Sequence, residues 1–467
     1  MYNLQLKFIA LCVPVVCLVT LGAINATVVI PIAVGLSVAL LVSLRWSGLV
    51  APLLIVCALP LMRPSILGES TSLLAAVLVG AAALITVVED HGRVKLFGRD
   101  SAPLRRVSLW AGLAYLWLLV RAALFDPQSA VVTIAQGGAL LVGTVLFASI
   151  VLADPRRART AGRLFVSLIA ALSLSYVVTF AVWSVGGMGS GQVAQITVGS
   201  WPGLQPVYFP FTPTLSQSNI NGIVIPRFVG IGREPGWMAL YSAVAFFLAP
   251  AVGCKSKWLR LVILVSIIAP LSTAGFGSFA VAAVVAWIVS RRAKTALGGY
   301  IRLAFSAALL GFSLWLAIVA PVLGLSAKAS LNIVSLDERT AATLDGLHAL
   351  LTSPFSGGIQ SSNIGAVNLI AAIASFGVPF SFAIALAILS PLIGRWQLLA
   401  PIATVIFITL IASQPALDST AVFMLVALAV AQFRTPDSAE VPEAAVTAFT
   451  ASVPLLTPTE NRASIAD

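Results

Sequence analysis

Residues 225–241 read IPRFVGIGREPGWMALY. Arg227, Arg233 and Glu234 are the only charges between Arg163 and Lys255. Pro235 suits the first position of a helix, where its missing N–H removes no hydrogen bond. Glu234 then falls at the N-cap, and the apolar run from Trp237 continues as a membrane-length segment. The stretch therefore sets two charges and a proline at the mouth of a helix that lipid would otherwise surround. Free N–H groups and the positive dipole end of such a helix favour an anion, and an arginine fork matches phosphate. Arg227 and Arg233 are the candidate phosphate ligands, and Trp237 lies beside them as a substrate-binding candidate.

The rest of the chain explains why this island stands out. Of its 467 residues 59% are hydrophobic and 9% charged, against about 25% charged in a soluble domain. The expected fold is an all-α polytopic membrane protein with about 12–14 transmembrane helices, because lipid leaves the backbone no other solution but a closed barrel. Candidate spans fall at about 6–24, 26–44, 48–62, 71–88, 108–125, 129–152, 162–184, 236–252, 258–272, 275–290, 301–322, 366–392, 396–412 and 417–433. The first reads as a retained span rather than a cleaved signal. Residues 1–433 form one transmembrane domain, with long outer loops at about 185–235 and 323–365. Residues 434–467 are rich in Ala, Pro, Thr and Glu and read as a disordered cytoplasmic tail.

Charge placement gives the orientation. With the N-terminus inside, 21 of the 27 Lys and Arg fall on inner loops or termini. The other six are Arg63, Arg121, Arg227, Arg233, Lys328 and Arg339. The net charge of +11 is thus a topology signal and speaks against a nucleic-acid partner. It predicts two cytoplasmic termini and puts the 225–241 stretch on the outer face. The four cysteines show neither a disulfide framework nor metal-ligand spacing, and no cofactor or metal is expected.

Four more places bear on chemistry. Residues 185–235 contain GGMGSGQ and Pro202, Pro206, Pro210 and Pro213, and read as irregular, with Trp201, Tyr208, Phe209 and Phe211 suited to an interface or a sugar face. In LSTAGFGSF (271–279), Ser272 and Thr273 suit a helix cap. In SLDERTAATLDGLHALLTSPFSGG (335–358), Ser335 and Glu338 form a capping-box pattern before a helix over about 336–351. His348 is a candidate general base, with Asp345 three residues before it to orient the ring. Arg339, nine residues from His348, projects from the opposite side of the same helix. Arg121, inside the fifth span near its outer end, is either functional or snorkelling to the interface.

The run Arg-Phe-x-Gly-x-x-Arg-Glu-Pro-Gly at 227–236 resembles bacterial O-antigen and exopolysaccharide polymerases, of one superfamily with the O-antigen ligases. Glu338–Arg339, Pro354, Gly357–Gly358 and SFGVPF at 375–380 are also similar to that family. The resemblance implies a membrane glycosyltransferase of GT-C-like fold, in the bacterial inner membrane and independent of metal. It would polymerise polyprenyl-pyrophosphate-linked repeat units on the outer face. Arg227 and Arg233 would hold the pyrophosphate, Arg339 would assist, and Glu234 or His348 would take the acceptor's proton. A flippase and a chain-length regulator would be its partners. Two departures stand beside the resemblance. Residues 361–368, SSNIGAVN, lack the histidine that ligases carry there, which favours polymerase over ligase. Nor does Arg227, Arg233 or Arg339 have a glycine at the distance some polymerases show. A ligase is the alternative enzyme, and a transporter the alternative outside that class.

Overall fold

The computed structural model describes residues 47–63, 65–92, 95–97, 101–125, 142–198, 203–220, 223–290, 298, 300–301, 304–308, 311, 315, 333–355, 369–392, 396–412 and 419–433. The expected spans at 6–24 and 26–44, most of 301–322 and the tail from 434 lie outside these residues. What is described is mostly helical. The helices are α1 Ser47–Ala58, α2 Gly68–Glu89, α3 Ala102–Phe125, α4 Val142–Leu152, α5 Pro155–Gly186, α6 Pro235–Leu248, α7 Lys257–Ile268, α8 Thr273–Ser290, α9 Ile333–Thr352, α10 Leu369–Phe376, α11 Val378–Leu389, α12 Trp396–Ala412 and α13 Thr420–Gln432.

Apolar runs became helices close to where hydropathy put them, but many are short. Among the described residues two, Thr71–Glu89 and Pro155–Gly186, are long and apolar enough to cross a membrane. A third counts if α10 and α11, bent by 116° where one span was expected, are taken together. α6 has 14 residues, about 21 Å at 1.5 Å per residue, short of the roughly 30 Å hydrocarbon core. Pro250 and Gly253 follow its end and Pro270 follows α7, so hydropathy ran on where the helix did not. Short helices are tolerable where protein surrounds them. Every residue of α6 but Phe246 is buried, as are Ala421–Ala431 of α13. The apolar surface lies elsewhere: Leu73, Val77, Leu84 and Val88 on α2, Leu109, Leu116 and Leu124 on α3, and Val177, Val178 and Phe180 on α5 are exposed. Exposed apolar stripes of this extent suit lipid rather than water.

The expected irregular loop is instead a four-stranded antiparallel meander, so the chain is not all-α. Its strands are β1 Gln192–Ile196, β2 Gln205–Tyr208, β3 Thr212–Ile220 and β4 Ile223–Phe228, in the order β1-β2-β3-β4. Of the prolines that argued against strands, Pro206 faces Gln195 inside the β1–β2 ladder, and other strand prolines sit at turns and irregularities. Pro213 stands beside the β2–β3 turn, and Pro226 faces Gln217 next to a shift in register. One face of α5 holds the sheet. Thr179 Oγ1 donates to Thr212 Oγ1 (2.7 Å), Ser175 Oγ lies 2.9 Å from Thr212 Oγ1, and Phe211 N donates to Ser175 Oγ (3.2 Å). A turn further on, Trp183 meets Tyr208 edge-on at 5.0 Å. Tyr208 is thus core rather than interface, while Phe209 is exposed and Trp201 lies outside the described residues.

Loops gather at two opposite ends of the bundle. At one, the Arg63 carbonyl accepts from Ala421 N (2.9 Å) and Ser419 Oγ (3.0 Å), and Ile66 N donates to Ile231 O (2.8 Å). At the other, Arg157 bridges Glu89 and Asp90 (both 2.9 Å), Lys95 pairs with Asp154, and Gln432 Nε2 donates to Ala158 O (2.6 Å). Asp154 also caps α5 through Arg156 N and Arg157 N, which carries that helix seven residues upstream of the expected start. Among the described residues, Lys95, Arg105, Arg156, Arg157 and Arg163, which charge assigned to one side of a membrane, occupy this second end.

Candidate functional site

The 225–241 stretch crosses the first end. β4 delivers Arg227, the chain turns through Gly230 at φ +52°, and Gly232 bridges to Ser65 before α6 begins. Glu234 is the N-cap and Pro235 stands in the first turn, as expected. The Glu234 carboxylate makes no capping bond, but its carbonyl accepts from Trp237 N (3.0 Å) and Met238 N (3.3 Å). A Cβ on Gly232 would lie 2.6 Å from Met238 N and 3.0 Å from Glu234 O. Only glycine lets the loop lie this close to the helix start.

Arg227 is occupied. Nε donates to Pro270 O (3.0 Å) and Nη2 to Leu271 O (3.4 Å), at the turn between α7 and α8. Leu271 takes φ +49°, an uncommon conformation for a residue with a branched side chain, and the guanidinium holds its carbonyl in place. Burial pushes the Arg227 pKa below its ordinary value, against the nearby charge of Glu234. Ser272 Oγ accepts from Gly275 N (3.2 Å), the cap expected of it. Arg233 and Glu234 are half-buried at the mouth of α6. Trp237 is 1% exposed, and its indole N–H has no acceptor. Beneath it, Ser65 Oγ donates to Leu59 O (2.7 Å), so Tyr241 Oη is the donor in their 2.9 Å contact.

The remaining candidates lie elsewhere. α9 begins at Ile333, so Ser335 is inside the helix rather than at its cap. The helix is continuous through Arg339 and His348, which keeps them half a turn apart over about 13 Å. His348 and Asp345 are exposed, and no hydrogen bond joins them. The far end of α9 reaches the α10–α11 break, where Val378 N donates to Pro354 O (3.0 Å). Arg121 is close to that break. It is 8% exposed, its Nε lacks an acceptor, and no partner for its side chain exists among the described residues. Sequence reasoning missed Trp117, whose buried indole N–H is also without an acceptor, and Gly377, the break itself.

The candidates thus form two groups, Arg227, Arg233, Glu234 and Trp237 around the start of α6, and Arg121 with the end of α9 around the start of α11. No protein-family model matches the chain, and neither characterised proteins nor solved structures match it significantly.

Proposed function

We propose that this chain is a polytopic membrane glycosyltransferase of GT-C-like architecture that polymerises polyprenyl-pyrophosphate-linked oligosaccharides. It would work at the outer face of a bacterial inner membrane, with both termini cytoplasmic, making O-antigen, capsule or exopolysaccharide. An acceptor hydroxyl attacks the anomeric carbon, the bond to the carrier pyrophosphate breaks, and the acceptor's proton passes to a base, Glu234 or His348. Arg233 and the amino end of α6 stabilise the charge on the leaving pyrophosphate, with Arg339 assisting from the second loop. The observation that carries this is the mouth of α6. A proline-led helix end, two half-buried ionic side chains and a buried indole N–H without an acceptor meet at the end opposite the basic loops. Arg233→Ala should lower chain extension on the order of a hundredfold, the effect of removing one transition-state donor, with the protein still inserted and abundant. Polymer of normal length and amount in that variant would refute the role.

One observation favours a second reading, a transporter of lipid-linked glycan. Broken helices build many transport sites, and α10–α11 is a broken helix. Vesicles containing the purified protein and a labelled lipid-linked oligosaccharide separate the two. New glycosidic bonds mark the polymerase, and movement across the bilayer without them marks the transporter.

A further inference from the structure

We propose that Arg121, the Trp117 indole N–H and the amino end of α11 form a phosphate-binding site at the break between α10 and α11. The geometry stands apart from the glycosyltransferase reading. Only the identification of the phosphate with the carrier lipid's rests on it.

α3 and α11 pack side by side in opposite directions. Two contacts fix their register: Arg106 Nη1 donates to Ser390 O (3.3 Å) at one end, and Trp117 Nε1 lies 3.5 Å from where a Cβ on Gly377 would stand at the other. Arg121 is one turn beyond Trp117 on the same side of α3. An unbroken helix would place residues near 373 opposite it. The chain instead bends by 116° at Gly377, so Arg121 stands past the end of α11. Helical side chains lean toward their own N-terminus, and from Arg121 that is the direction of Trp117 and the opening of α11.

That opening holds donors with little to bond. Gly377 N donates to Ile373 O (2.7 Å) and Val378 N to Pro354 O (3.0 Å), Pro379 has no N–H, and the Phe380 amide is left. A guanidinium, an indole N–H, a backbone amide and a positive dipole end therefore converge where no acid faces them among the described residues. A buried charge and buried N–H donors without acceptors lose hydration without return. An anion with several acceptor oxygens relieves all four, and a phosphoryl group has that geometry. Gly377 keeps the approach narrow. A Cβ there would fall far inside contact distance of Phe355 O, which locks the end of α9 against the break.

The site takes either a lipid pyrophosphate or free phosphate. The test uses full-length protein in nanodiscs, with farnesyl pyrophosphate and inorganic pyrophosphate as probes and affinity read by thermal shift. Wild type should bind both, and Arg121→Gln should weaken each at least tenfold. Preference for the farnesyl probe assigns a lipid source, and equal affinity a free one. Trp117→Phe covers the case in which Arg121→Gln fails to fold. It deletes an unsatisfied buried donor, so without probe its melting temperature should equal or exceed wild type, yet its affinity should fall several-fold. Unchanged affinity in both variants, or no binding to wild type at millimolar probe, would overturn the proposal. A measurement of chain extension in Arg121→Gln separates it from the polymerase reading. Lost binding with normal extension leaves this site standing and removes it from that reaction.

Discussion

Replacing Arg227 by Ala tests whether this arginine serves the fold or the reaction. Its side-chain contacts include one good charge-assisted hydrogen bond, Nε to Pro270 O at 3.0 Å, and one at the edge of the range, Nη2 to Leu271 O at 3.4 Å. Hydrogen bonds to charged groups contribute about 1.5–3 kcal/mol each. Counting the second at half or less gives a loss of about 2–4 kcal/mol. With an unfolding entropy of about 2.1 cal/mol/K per residue, a chain of this length should melt about 2–4 °C lower. Lysine keeps the charge but has no fork to span two carbonyls, so Arg227→Lys should recover less than half of the loss. Differential scanning fluorimetry of the purified protein measures both. Chain extension per folded molecule should stay within a few-fold of wild type. An Arg227→Ala variant that melts like wild type and makes no polymer would refute this reasoning and return Arg227 to the substrate.

Two further outcomes follow from particular contacts. Arg157 holds the Asp90 carboxyl below the usual carboxylate range; burial would raise Asp154, but Lys95 and the backbone N–H groups of Arg157 and Arg156 outweigh it and lower it too. Groups with a depressed folded pKa stabilise above their unfolded value and lose that contribution as pH falls through the folded one. The melting temperature should therefore be flat above about pH 5 and fall below about pH 4; Asp90→Asn should melt lower at pH 7 and show a shallower acid slope, and equal slopes would contradict the assignment. Gly232→Ala should destabilise by roughly 1–3 kcal/mol, the range for overpacking, and lower chain extension, because the added Cβ must displace the backbone of Met238 and Glu234; an unperturbed melting temperature would mean that the loop has room after all.

The sequence was most legible where one physical demand dominated. The run 396–412 came out as the helix Trp396–Ala412 although Pro401 lies inside it, because apolar helix formers dominate the rest of the run. Pro235 and Glu234 were legible because a helix start has its own chemistry. The sheet was not, because prolines were weighed as breakers while the contacts that hold it, Thr179 to Thr212 and Trp183 to Tyr208, join residues about 25 to 33 positions apart. Arg227 stood out as a charge in an apolar chain, but its acceptors are backbone carbonyls 43 and 44 residues on, and carbonyls have no signature in a sequence. Gly377 was visible as a letter in SFGVPF. What it does, ending one helix and starting another at 116°, goes with the Phe355 carbonyl, just past the end of α9, standing where a Cβ would be.

The two groups of candidate residues repeat one construction. At each, a glycine in the left-handed region, Gly230 or Gly377, is followed by a helix with proline in its first turn, Pro235 or Pro379. Beside each start lie an arginine and a tryptophan whose indole N–H is buried without an acceptor, Trp237 at α6 and Trp117 at α11. The proline removes one amide that would need a partner, and the tight glycine turn brings the others close to whatever lies beyond. Buried donors without acceptors are uncommon, because each carries a desolvation penalty of about 1–3 kcal/mol. Two of the same kind at two helix starts argue for a ligand at each rather than for two accidents of packing. A lipid-linked donor and a lipid-linked acceptor both carry pyrophosphate, so a polymerase that joins them needs two such places. In vitro, short acceptor analogues without pyrophosphate should then be extended by wild type with a raised KM, and Arg121→Gln should add little to that defect.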